Sequence, residues 1–117
     1  MKADRIKRAH LRDTFLERSR KQVLLMGILN VTPDSFSDGG AFFDSAMAMS
    51  QAQLMEAQGA DILDVGGEST RPGAIPVSAQ DEAGRVLSVL PALCDDGSRI
   101  VSVDTYKAWV ARAAAEA

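Results

Sequence analysis

The stretch Asp61–Ala74, DILDVGGESTRPGA, sets a short apolar run against a loop holding an acid, a serine, a threonine, an arginine, a proline and three glycines. The run Ala60–Val65 (ADILDV) reads as a strand, too short and too continuously apolar for a surface helix. Two runs of the same kind flank it, Val23–Leu29 (VLLMGIL) and Ile100–Val103 (IVSV). All three are expected to be strands buried on both faces, as in parallel sheets.

Helical patterns separate them. Ser45–Gln58 is rich in Ala, Met and Gln, with Ala48, Ala52 and Met55 on one face and Gly59 placed to end it. Asp81–Leu90 follows a capping signal, Ser78 with Asp81 three residues on. Val86, Leu87, Val89 and Leu90 are its expected buried side, and Pro91 is expected to disturb its end. A third helix begins near Lys107 and runs on through AWVARAAAEA. The order βαβαβα predicts parallel strands with right-handed crossovers. Strand starts at 23, 60 and 100 suit βα repeats with long functional loops. Three such units cannot close a barrel, and they leave a parallel edge strand. The expected fold class is therefore α/β, a βαβαβα N-terminal part of a longer protein whose parallel sheet is incomplete in this chain. The other reading is a complete three-stranded α/β domain. In the barrel reading Ile62, Leu63 and Val103 face the missing half, and the chain alone is expected to associate.

The bulk numbers agree with one small domain. The chain has 117 residues, 46% of them hydrophobic, enough for a core. The single cysteine, Cys94, excludes an intramolecular disulfide and reads as a small buried hydrophobe. No run approaches the roughly 20 apolar residues of a membrane span. The N-terminus lacks the apolar segment of a signal peptide. No membrane association and a cytoplasmic setting are the expectations. Residues 1–22 hold eight of the thirteen Lys and Arg against three acids, a net of +5, and residues 23–117 carry −8. The chain thus divides into a basic N-terminal arm, 1–22, and three βα units, 23–117. The arm has no aromatic interleaving, so a solvated helix is favoured over a nucleic-acid contact. His10 has no His or Cys neighbour and reads as a surface residue.

The chemistry lies at the strand ends. They lead into NVTPDSFSDGG (Asn30–Gly40), GGESTRPGA, and Asp104–Thr105. In parallel α/β folds these carboxyl ends share the ligand-binding face. Gly66 and Gly67 permit close backbone approach or a sharp turn. Ser69 and Thr70 offer hydroxyls, and Arg71 a planar fork suited to phosphate or carboxylate. An ordinary surface loop with a solvated arginine is the competing reading. Asn30 presents a hard oxygen, and with Asp34 and Asp38 it suits magnesium beside a diphosphate. Asp38, before two glycines, reads rather as a turn former. Phe36 either packs on a flat ligand or anchors its loop. No His/Cys cluster points to zinc. Asp104 is expected to accept N–H groups of a heterocycle, and Asp64 to be a structural acid tied to a backbone amide or a helix end.

MGILNVTPDSFSDGG (Met26–Gly40), DILDVGGESTRPGA and SVDTYK (Ser102–Lys107) together resemble the opening signatures of the dihydropteroate synthases, in that family's order and spacing. The resemblance implies a pterin-binding (β/α)8 TIM barrel, of which this α/β chain is the N-terminal βαβαβα portion, and a transferase of folate biosynthesis, the target of sulfonamides. Its reaction condenses 6-hydroxymethyl-7,8-dihydropterin diphosphate with 4-aminobenzoate to 7,8-dihydropteroate and diphosphate. By motif, Asn30 resembles the magnesium contact, and Thr70, with Ser69 and Arg71 beside it, the diphosphate-binding group. Asp104 resembles the acid that binds the pterin. Phe36 and Pro72 resemble walls around 4-aminobenzoate. The implied mechanism is SN1-like and needs no protein nucleophile. A homodimer is implied for the full-length protein. The family's later Asn, second Asp, Lys and Arg-x-His groups are not found after Asp104, so the chain alone is expected to form no dihydropteroate. A pterin-binding methyltransferase barrel and an inactive fragment are the alternatives.

Overall fold

A computed structural model of the chain describes residues 2–32, 45–69, 71–95 and 97–117, with side chains from residue 5 onward. Its elements are helix α1 (Lys2–Ser19), strand β1 (Met26–Asn30), helix α2 (Ser45–Ala57), strand β2 (Ile62–Gly66), helix α3 (Ala79–Cys94), strand β3 (Val101–Asp104) and helix α4 (Ala108–Glu116). The strands form one sheet in the order β1-β2-β3, parallel throughout. The βαβαβα reading therefore holds, preceded by one extra helix.

The strands begin later than their apolar runs. Val23 and Leu25 lie outside β1 and are 87% and 55% exposed. Asp61 explains the boundary: its carboxylate accepts the Leu25 N–H at 2.9 Å, so a side chain closes the start of the ladder.

Strand alternation decides which residues meet the helices. Leu29 pairs with Val65, and Val65 with Val103. This row packs on Ala48 and Ala52 of α2 and on Val86, Val89, Leu90 and Leu93 of α3. Each fully buried Leu or Val contributes about 1.5–3 kcal/mol of hydrophobic stabilisation. The opposite row is open: Met26 and Ile28 are 55% and 59% exposed. Two expectations change accordingly. The strands are covered on one face only, because α2 and α3 pack on the same side. Leu63, 2% exposed, and Val103 belong to the helix side, and of the three residues assigned to the inner face only Ile62 lies in the open row.

Local signals shape the helix ends. Gly59 takes φ +109°, and the Gly59 and Ala60 N–H groups donate to the Glu56 and Met55 carbonyls. That pair of bonds closes α2 as a left-handed glycine cap should. Ser78 caps α3 by accepting the Asp81 N–H at 3.1 Å. Pro91 does not end α3, which continues to Cys94. The extra turn carries Leu93 into the core, and this burial offsets the bond that proline cannot donate. Cys94, the next residue round, is turned away from that face and is exposed, contrary to the buried cysteine expected.

The basic arm is a helix but is not simply solvated. Arg18 pairs with Asp61 at 3.0 Å. Arg8 donates to the Ala115 and Ala117 carbonyls at 2.8 and 2.7 Å, meeting the electronegative end of α4. These contacts place α1 at the amino ends of the strands. Among the described residues no helix is long and apolar enough to cross a membrane.

Candidate functional site at the carboxyl ends of the strands

The last register row of the sheet is Asn30–Gly66–Asp104. Residues paired across parallel strands point to the same face, so Asn30 and Asp104 flank Gly66 on the open side of the sheet. They sit two strands apart, roughly 10 Å. A side chain at Gly66 would project between them, its Cβ 3.8 Å from Asn30 Oδ1 and 3.9 Å from the Asp104 carbonyl. Glycine keeps that floor clear. One row below, Ser102 Oγ donates to Asp64 Oδ1 at 2.6 Å. Asp64 thus meets a neighbouring hydroxyl rather than the backbone amide or helix end expected for it.

Gly67 has a different purpose from Gly66. Its Cβ would stand 2.9 Å from the Glu82 backbone oxygen and 3.1 Å from Val86 Cγ2. The loop after β2 therefore leaves the sheet pressed against α3. Arg85 Nη1 fixes it there by donating to the Gly67 carbonyl at 3.0 Å. Beyond this point Ser69 is partly buried and accepts the Arg71 N–H at 3.3 Å. Arg71 itself is exposed. Gly73, at φ +81°, turns the chain back. Thr70 lies outside the described residues, as do Asp34, Phe36 and Asp38.

Behind Asp104 lies an ionic cluster that sequence reasoning missed. Glu82 of α3 is 1% exposed. Lys107 Nζ donates to Glu82 Oε1 at 2.6 Å and to Glu68 Oε2 at 3.1 Å. Thr105 Oγ1 donates to the other Glu82 oxygen and accepts the Lys107 N–H. Glu68 Oε2 also accepts the Val77 N–H at 2.7 Å. Glu82, chiefly, and Glu68 raise the Lys107 pKa. The Val77 amide, then Lys107, lower that of Glu68. A legible signal existed: Glu82, Val86, Val89 and Leu93 fall at helical spacing, so an acid stands on the apolar stripe of α3. Glu68, Glu82 and Thr105, together with Asp104 and Tyr106, line a cavity of about 110 Å³.

Comparison with known proteins accords with this geometry. The family profile described as Pterin binding enzyme matches residues 26–117.

The chain belongs to this family of pterin binding enzymes.

It is 55% identical over 93 residues to the dihydropteroate synthase of Streptococcus pyogenes serotype M1, covering 80% of this chain and 35% of the relative. The solved dihydropteroate synthase of Clostridium difficile, determined in the presence of pteroic acid, superposes with a TM-score of 0.76 at 51% identity. That match covers 82% of this chain and 36% of the other. The Xanthomonas albilineans dihydropteroate synthase, solved with 4-aminobenzoic acid, gives 0.73 at 46% identity, over 81% and 35% of the two chains. The chain thus spans about a third of the length of the relatives it matches. Helix α1 lies wholly before the matched region.

Among the described residues, no group of three or more His, Cys, Asp or Glu side chains is placed to hold a metal ion. Asn30 alone supplies one neutral oxygen. Magnesium suits such a donor when substrate phosphates and waters complete its shell.

Proposed function

We propose that this pterin-binding segment forms the substrate-holding first part of a dihydropteroate synthase. It would act on 6-hydroxymethyl-7,8-dihydropterin diphosphate and 4-aminobenzoate. The observation that carries the reading is the row Asn30–Gly66–Asp104 beside the loop bearing Ser69, Thr70 and Arg71. Asp104 offers an acid for a heterocycle's N–H groups, and the loop that follows Gly66 offers a hydroxyl at Ser69 and a guanidinium at Arg71 that suit an anion.

In this reading Asp104 accepts hydrogen bonds from the pterin and fixes its orientation. Ser69, Thr70 and Arg71 hold the diphosphate as its C–O bond breaks, when negative charge grows on the leaving group. The amine of 4-aminobenzoate then forms the C–N bond and loses a proton. Asn30, with diphosphate oxygens, would hold Mg²⁺, which supplies further charge neutralisation at the leaving group.

The test is a chimera in which residues 26–117 replace the matching segment of the Streptococcus pyogenes relative. Dihydropteroate formation is expected. Asp104→Asn should then lower kcat/KM about 10- to 100-fold, since a charge-assisted hydrogen bond is worth ~1.5–3 kcal/mol. Arg71→Ala should raise KM, and Asn30→Leu should raise the magnesium requirement. An active chimera indifferent to Asp104→Asn would refute the assignment of that residue. An inactive but folded chimera would refute the proposed function.

A further inference from the structure

The two loops that frame the site leave different strands, yet one side chain joins them. Lys107 ends the segment after β3, three residues beyond Asp104. Its Nζ reaches Glu68 in the loop after β2 and Glu82 on α3, at 3.1 and 2.6 Å. The three side chains are well shielded: their relative exposures are 17%, 14% and 1% for Lys107, Glu68 and Glu82.

The contacts form a closed circuit. Glu68 binds the Val77 N–H with the same oxygen that meets Lys107, so it ties the outgoing and returning legs of its loop. Glu82 takes Lys107 on one oxygen and the Thr105 hydroxyl on the other. Thr105 in turn accepts the Lys107 N–H at 3.1 Å, which fixes the turn that follows Asp104. Tyr106 covers the ammonium, its ring centroid 4.3 Å from Nζ. Two carboxylates already neutralise this lysine, so it is not a free cation for a phosphate. Arg71, exposed on the loop after β2, retains that capacity.

From this geometry we infer that Lys107 is a positioning residue, a clamp that sets the Ser69–Arg71 loop at a fixed distance from Asp104. The inference rests on the proposed function in assigning the two loops to two ends of one substrate, the anion and the heterocycle. The clamp itself stands on the observed contacts. Removing it should leave both groups present but out of register. A substrate held at both ends should then bind less tightly.

Two measurements test this. The first is amide hydrogen exchange on the 117-residue chain. In Lys107→Met the Val77 amide should exchange at least tenfold faster, while core amides of β2 change little. Lys107→Arg, which keeps the charge, should recover most of the protection. The second is steady-state kinetics in the chimera. Lys107→Met should raise KM for the pterin diphosphate about tenfold or more, with partial rescue by Lys107→Arg. Should Lys107→Met fail to fold, because Glu82 is left buried and unpaired, Glu68→Gln loosens only the loop arm and carries the same expectations at smaller amplitude. Unchanged Val77 exchange in a folded variant overturns the clamp. Faster exchange with unchanged KM for the pterin diphosphate overturns its role in positioning. An inactive wild-type chimera would remove the proposed function, and the exchange result alone would then decide the clamp.

Discussion

Gly67 and Gly84 lie 17 residues apart and should respond to the same substitution with opposite signs. At Gly67 an added Cβ would stand 2.9 Å from the Glu82 backbone oxygen, with Glu82 Cγ and Val86 Cγ2 both at 3.1 Å. The closest of these is main chain on a packed helix and cannot swing aside as a flexible side chain would. Relief requires the loop after β2 to lift from α3. Overpacking of this kind costs about 1–3 kcal/mol. Gly84 sits within α3, exposed, with nothing within 4 Å of its Cβ direction. There alanine restricts the unfolded chain and suits the helix, for a gain of ~0.5–1 kcal/mol. Thermal unfolding of Gly67→Ala, Gly84→Ala and the parent chain is the assay. At roughly 4–8 °C per kcal/mol for a small domain, Gly67→Ala should melt clearly lower and Gly84→Ala a few degrees higher. The displaced loop should also lose the Arg85 bond to the Gly67 carbonyl, so exchange at Val77 should quicken in Gly67→Ala only. Equal midpoints for Gly67→Ala and the parent would refute the argument that contact with α3 dictates glycine at this position.

Pro91→Ala should stabilise the chain by up to ~3 kcal/mol, because α3 runs through this exposed position and alanine restores the missing N–H; a lower urea midpoint would count against it. Asp61→Asn should alter the acid limb of stability. The Leu25 amide, then Arg18, hold the Asp61 carboxyl below its ordinary 3.8. A depressed folded pKa stabilises above the unfolded value and loses that contribution as pH falls through the folded one. The parent should therefore exceed the variant near neutrality, and the gap should close below about pH 3.8. A gap independent of pH would show that charge at Asp61 is irrelevant.

What the sequence by itself determined was local. Three apolar runs separated by helical patterns led to the strand order and parallel sense, since crossover length and handedness leave few alternatives. Gly59 and Ser78 acted where they were read, because a cap depends on residues within one turn. Asn30 and Asp104 stood out because a polar residue ending a buried strand is conspicuous in the chain alone. The tertiary structure decided what depends on contacts between distant segments. Strand alternation is visible in sequence, but its phase is set by the side on which the helices pack; hence Leu63 and Val103 belong to the helix face. Helix α1 is joined to the sheet by Arg18 and Asp61, 43 residues apart. Glu82 could be seen on an apolar stripe, but its partner Lys107 comes from the segment after β3, and that lysine's other partner, Glu68, from the loop after β2. Only folding brings their charges together, and burial away from solvent makes one lysine able to hold both loops.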